Sequence, residues 1–151
     1  MKVFKSISEY RDWSSSLKGS LGFVPTMGAL HGGHFSLIKK SLNSCKNTVV
    51  SIFVNPEQFA PNEDFGNYPR KVHRDISCLE SLGVDALFLP NEKRIYPDGF
   101  STYVEEIVLT RGLESKSRPY FFKGVLTVVL KLFNIVSPQS VFLEKRTINN
   151  F

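Results

Sequence analysis

Three short apolar runs limit what this chain can become. Residues 21–25 (LGFVP), 48–54 (TVVSIFV) and 85–90 (DALFLP) are too short for ordinary helices and are bounded by Gly, Asn or Pro. The middle run, rich in β-branched residues, is the clearest strand. Helical patterns fill the gaps. Residues 6–17 read as a short helix with Ser6 or Ser8 as N-cap. Residues 34–43 place Leu37, Ile38 and Leu42 on one face, and residues 72–82 end at Gly83, a residue suited to closing a helix. Residues 124–136 read as a buried helix, apolar on most sides, and residues 102–108 as a fourth, peripheral strand. Buried strands alternating with helices predict an α/β fold with a doubly wound parallel sheet. A chain of 151 residues suits one domain with a real core.

Such sheets bind ligands beyond the carboxyl ends of their strands. Two loops are expected there, residues 26–34 and 55–68. The first belongs to the run P-T-M-G-A-L-H-G-G-H, residues 25–34. Its glycines let backbone approach a phosphate, and a helix N-terminus offers free N–H groups to an anion. His31 and His34 can donate to phosphate oxygens as charge builds on them. A histidine pair around one glycine would equally suit a surface turn. The full motif directly after a strand points to phosphate handling.

Composition excludes other classes. Net charge is 19 − 14 = +5, which suits an anionic small molecule, and no basic run has the density of a nucleic-acid arm. No stretch approaches the roughly 20 apolar residues of a membrane span, and residues 1–10 lack the apolar core of a signal peptide. Cys45 and Cys78 have no metal spacing and read as incidental thiols of a reduced, cytoplasmic chain.

The phosphate loop resembles the HIGH-type loop of the nucleotidyltransferase superfamily and, more narrowly, that of the pantothenate synthetases (pantoate–β-alanine ligases). V-S-I-F-V-N-P-E-Q-F (residues 50–59), N-E-D-F-G-N-Y-P-R (62–70), Asp75, D-A-L-F-L-P (85–90), Ile95-Tyr96-Pro97 and G-V-L-T-V-V-L-K-L-F-N-I-V (124–136) follow in family order. Other nucleotidyltransferases share the histidine loop but are not expected to carry V-N-P-E-Q-F or N-Y-P-R. The resemblance implies a Rossmann-like fold and a reaction in two steps. Pantoate carboxylate attacks the α-phosphate of ATP, and the amine of β-alanine then displaces AMP from the pantoyl adenylate. It further implies that ATP lies against Met27, Gly28, Ala29, Leu30, His31, Gly32, Gly33 and His34, with Lys145 from the far end of the chain. His34 becomes the chief acid or phosphate-stabilising group, assisted by His31. Gln58, and Asn149 by position, would contact pantoate, with the Gln58 amide able to donate and accept at once. Asp75 would face Mg²⁺, a solvated helix residue being the plainer alternative. A homodimer is also implied.

Two departures stand out. The family loop R-P-x-H-F-x-G-V is here R-P-Y-F-F-K-G-V (residues 118–125), so Phe121 replaces a histidine and cannot donate to a phosphate. The family's F-G-E-K-D-Y-Q-Q-L is here F-L-E-K-R-T-I-N-N-F (residues 142–151). One permitted codon spelling of those residues is TTT TTG GAG AAA AGG ACT ATC AAC AAC TTT. Read two bases later, it spells the family motif without error. A single-base frameshift near residues 140–142 followed by an early stop is therefore expected, and the gene sequence decides it. On that expectation the nucleotide domain is incomplete and the C-terminal domain absent. Ligase activity is then little or none, because aligning the reactants is worth about 7–11 kcal/mol of barrier. A nucleotide-binding or dimerisation module without catalysis is the alternative.

Overall fold

The computed structural model describes residues 1–63, 65–66, 71–108 and 120–144. Five strands form one sheet: β1 (Lys2–Phe4), β2 (Leu21–Thr26), β3 (Asn47–Ile52), β4 (Ala86–Phe88) and β5 (Ser140–Val141). Their order is β1-β4-β3-β2-β5, and every pairing is parallel. The expected parallel α/β sheet is thus present. Helices α1 (Ile7–Ser15), α2 (Gly32–Ser44), α3 (Val72–Leu82), α4 (Glu92–Ile95) and α5 (Phe121–Val136) accompany it, with a 3₁₀ turn at Pro56–Gln58.

Strand alternation divides the core between the two faces. Phe23, Val49 and Phe88 join Tyr10 of α1 and Val128 and Leu132 of α5 on one face. Val24, Val50 and Leu87 join Ile38 of α2 and Leu79 of α3 on the other. Each such side chain, fully buried, contributes about 1.5–3 kcal/mol. The Tyr10 hydroxyl donates to the Val136 carbonyl at 3.0 Å, tying α1 to the end of α5. Burial raises its pKa to about 12. Pro25 sits inside β2 because β5 pairs only with Gly22 and Phe23, which leaves that edge open beyond Phe23.

Ser6 caps α1 through the Glu9 amide, and α3 has the predicted bounds, closed by Gly83 at φ 86°. One expectation needs correction. Residues 102–108 form no strand: the Val104 amide and carbonyl both pair with the Thr127 hydroxyl, while Ile107 and Val108 lie exposed. Helix α5 is largely buried as expected, with Leu130 and Asn134 on its exposed side. Strands β1 and β5, two or three residues long and half polar, carry too little pattern to announce themselves.

Candidate functional site

The strand order places a switch point beside β2. From β2 the chain runs through α2 to β3 on one side, and β5 lies on the other. The carboxyl ends of β2 and β5 therefore open onto the crevice where doubly wound sheets hold ligands. The predicted phosphate loop leaves β2 here. Glu144 follows β5 into the same place, and one ligand atom from each of His31, His34 and Glu144 lies within 4.8 Å of the others.

The loop is held from inside. The Thr26 hydroxyl accepts from the Gly28 amide at 3.1 Å and donates to the Ser51 carbonyl of β3 at 2.8 Å. Gly28 has φ 82° and Ala29 φ 52°, so two successive residues are left-handed. Asp75, from the first turn of α3, accepts from the Ala29 amide through Oδ2 at 2.8 Å and from the Leu30 amide through Oδ1 at 3.0 Å. His31 then caps α2. Its Nδ1 accepts from the Gly33 amide at 3.1 Å, and the Nδ1 of His34 accepts from the His31 amide at 3.2 Å.

These bonds narrow the backbone part of the expected phosphate contact. The amides of Gly28, Ala29, Leu30, His31 and Gly33 all have partners within the protein. They are not free to cradle an anion. Beside the remaining amides at the start of α2, the loop offers side-chain N–H. A backbone amide can only donate, so both Nδ1 atoms must accept, and the proton of each neutral ring sits on Nε2. The rings lie 4.1 Å apart and supply two Nε2–H donors side by side. Burial, then the neighbouring His31, lowers the His34 pKa, against an opposite pull from Glu144 and Asp75. His34 thus favours the neutral, Nε2-protonated ring.

The same tautomers argue against a metal held by His31, His34 and Glu144. Metal-binding histidines donate from the nitrogen opposite the metal, whereas here that nitrogen accepts. Nor does Asp75 fit the Mg²⁺ role that the resemblance implies. It is 1% exposed and both oxygens are occupied by loop amides. That burial equally excludes the solvated-helix reading. A cavity of about 310 Å³ is lined by Met27, Gly28, Phe53, Lys71, Asp75 and Leu89.

Gln58 lies in the segment that follows β3 and belongs to a second network. Asn55, 1% exposed, accepts from the Glu57 amide at 3.3 Å and from the Tyr96 hydroxyl at 2.7 Å. Its Nδ2 donates to the Gly124 carbonyl at 3.0 Å and to Gln58 Oε1 at 3.1 Å. The Glu57 amide and Gly124 carbonyl fix which end of Asn55 is oxygen, and Asn55 in turn fixes Gln58. The Gln58 oxygen is used, leaving its NH₂ to donate. Gln58 thus accepts within the protein while its NH₂ stays available to an acceptor such as a carboxylate or hydroxyl oxygen.

The histidines, Glu144 and Asp75 are thus brought together, while Gln58 stands in a separate network. Lys145, Asn149, Arg118, Pro119 and Arg70 lie outside the described residues. Phe121, which replaces the expected histidine, is buried in the first turn of α5. Sequence reasoning missed Thr26, Tyr96 and the meeting of Glu144 with the histidines. Tyr96 and Glu144 stood within recognised motifs but had no assigned partner.

The fold is an α/β fold of the HIGH nucleotidyltransferase type. The sequence narrows the class: the family model for pantoate-beta-alanine ligase matches residues 2–150, and the chain belongs to that family. A pantothenate synthetase of Thermosipho africanus is 51% identical over 154 residues, covering 100% of this chain and 55% of its own length. A pantoate–beta-alanine ligase of Saccharomyces cerevisiae is 47% identical over 165 residues, covering 100% and 53%. Among solved structures, the pantoate-beta-alanine ligase of Francisella tularensis, complexed with beta-gamma ATP and beta-alanine, superposes with a TM-score of 0.88 at 48% identity, covering 93% of this chain and 55% of that one. The chain spans about half the length of the curated relatives it matches.

Proposed function

We propose that this chain carries the ATP- and pantoate-facing part of a pantothenate synthetase. A pantoate carboxylate oxygen attacks the α-phosphorus of ATP, and the bond to pyrophosphate breaks. The amine of β-alanine then attacks the acyl carbon, loses a proton and expels AMP. The observation that carries this reading is the pair of Nε2–H donors at the switch point, held side by side by the loop that the family shares. Neutral rings donate to phosphate oxygens without first acquiring a proton, and a fixed donor array aimed at growing negative charge is an effective catalyst. Gln58, with only its NH₂ to give, suits an oxygen of pantoate.

Mg²⁺ belongs to this proposal only as a companion of the nucleotide phosphates, since it usually keeps several waters and few protein ligands. No step is assigned to it here. The reading extends by family to a cytoplasmic homodimer, which sedimentation of the purified chain tests. No helix among the described residues is long and apolar enough to cross a membrane.

The direct test is ATP binding by calorimetry, followed by pantoate-dependent pyrophosphate release. ATP binding lost in His34→Ala is the expected result. A chain that binds ATP with the same affinity with and without His34 would overturn it. ATP binding without pantoate-dependent release would favour a nucleotide-binding module.

A further inference from the structure

Asp75 is the one buried carboxylate among the described residues, and its placement is unusual for a site that receives an anion. It stands in the first turn of α3, where the helix dipole favours a negative charge. Its partners are 45 and 46 residues away in sequence, both amides of the phosphate loop. Each oxygen takes a different amide. That demand for two acceptors selects a carboxylate, because asparagine would accept one amide and turn an NH₂ against the other.

We propose that Asp75 is a positioning residue for the nucleotide and not a metal ligand. By occupying the Ala29 and Leu30 amides, it holds Ala29 at φ 52° and aims the following residues into the reciprocal cap of His31 and His34. With those two amides taken, phosphate recognition leans on the imidazoles and the start of α2. Space around the loop is tight enough for this to matter: a Cβ at Gly28 would lie 3.2 Å from Asp75 Oδ2. The proposal rests on the reading that this loop meets ATP, but the conformational half of it does not.

The two halves separate in one experiment on the full chain. Nitrogen-15 spectra report which imidazole nitrogen carries the proton, and amide exchange reports protection of Ala29 and Leu30. In the parent chain both rings are expected as Nε2–H, with both amides protected. Adding ATP should move the Nε2 signals and leave those two amides in place. Asp75→Asn should mix the tautomers and weaken ATP binding about tenfold or more, equivalent to about 1.4 kcal/mol. Adding Ala29→Gly to that variant should restore part of the affinity, because glycine adopts the left-handed conformation unaided. General loss of packing would not be rescued so.

If ATP fails to bind the parent chain while Asp75→Asn still mixes the tautomers, the nucleotide reading fails and the positioning role stands. If Asp75→Asn keeps both tautomers and full ATP affinity, the positioning role is overturned. Should that variant not fold, the parent chain decides: ATP shifting the Ala29 and Leu30 amides more than the imidazoles overturns the proposal.

Discussion

The loop after β2 hangs from a carboxylate, whereas the segment after β3 hangs from an amide. Asp75 only accepts, so it organises a loop by consuming N–H groups, and it needs its negative charge to do so. Asn55 donates and accepts, so it fixes direction as well as position, handing Gln58 a single polarity. The two devices leave opposite kinds of freedom. Around the carboxylate the amides of Ala29 and Leu30 are spent, and the next side chains along the loop are the histidines. Around the amide the NH₂ of Gln58 is left to donate. A phosphate-handling site and a carboxylate-handling site can thus be built side by side on adjacent strands, both from donors, with different supports.

The sharpest way to break the amide side is through Gly124. Its Cα hydrogen faces the backbone of the 3₁₀ turn, and a Cβ there would press on the Glu57 carbonyl and lie 2.7 Å from Gln58 N. Neither neighbour is a side chain that can swing away. Gly124→Ala should therefore part α5 from the turn, costing about 3 kcal/mol, at the upper end for overpacking. Chemical denaturation would read the loss. Stability unchanged within about 0.5 kcal/mol would show that the turn is not clamped. Gly32 has nothing within 4 Å of its would-be Cβ. Gly32→Ala should be neutral or slightly stabilising, since alanine favours helix.

A gentler break removes one donor. Tyr96→Phe deletes the 2.7 Å bond to Asn55 Oδ1 but leaves the Glu57 amide on the same oxygen. Burial raises the Tyr96 pKa, as does nearby Glu57, so the hydroxyl stays protonated and donating. The expected loss is about 1–2 kcal/mol, the usual cost of stripping a partner from a buried polar group. A loss of that size with Gln58 unmoved, judged by its side-chain amide resonances, would mean that Asn55 holds Gln58 without help from Tyr96.

The sheet was legible because it rests on pattern. Three apolar runs sit between helical periods, and the order of neighbours in a doubly wound sheet follows from short crossovers. The 3₁₀ turn, α4 and the terminal strands were not legible, being too short to show a period. At the site, the sequence reveals which residues gather but not which atoms are left over. His31 and His34 announce a phosphate loop. Only the fold shows that Asp75, 46 residues from Ala29, has already consumed the amides such a loop would be expected to offer. Likewise Gln58 is visible as an amide, while its polarity depends on Gly124, 69 residues from Asn55. Hydrogen-bond bookkeeping is a property of the closed structure.

The smallest effect tests whether charge separates the two loops. His34 favours its neutral form in the folded chain, chiefly because burial penalises the imidazolium. In the unfolded chain it takes up a proton near pH 6.5. As pH falls below about 6.5, the unfolded state therefore binds more protons and stability declines, until pH passes below the lowered folded value. Geometry gives the same sign: a proton on Nδ1 would point at the His31 amide that now donates to it. The ring is only half buried, so the loss should be modest. Melting temperatures at about pH 7.5 and about pH 5.5 would record it against His34→Gln, whose amide oxygen can still accept from the His31 amide but does not titrate. The parent should lose more than the variant. Equal losses would place the titration elsewhere, and the cap between His31 and His34 would not be the pH-sensitive element of the loop.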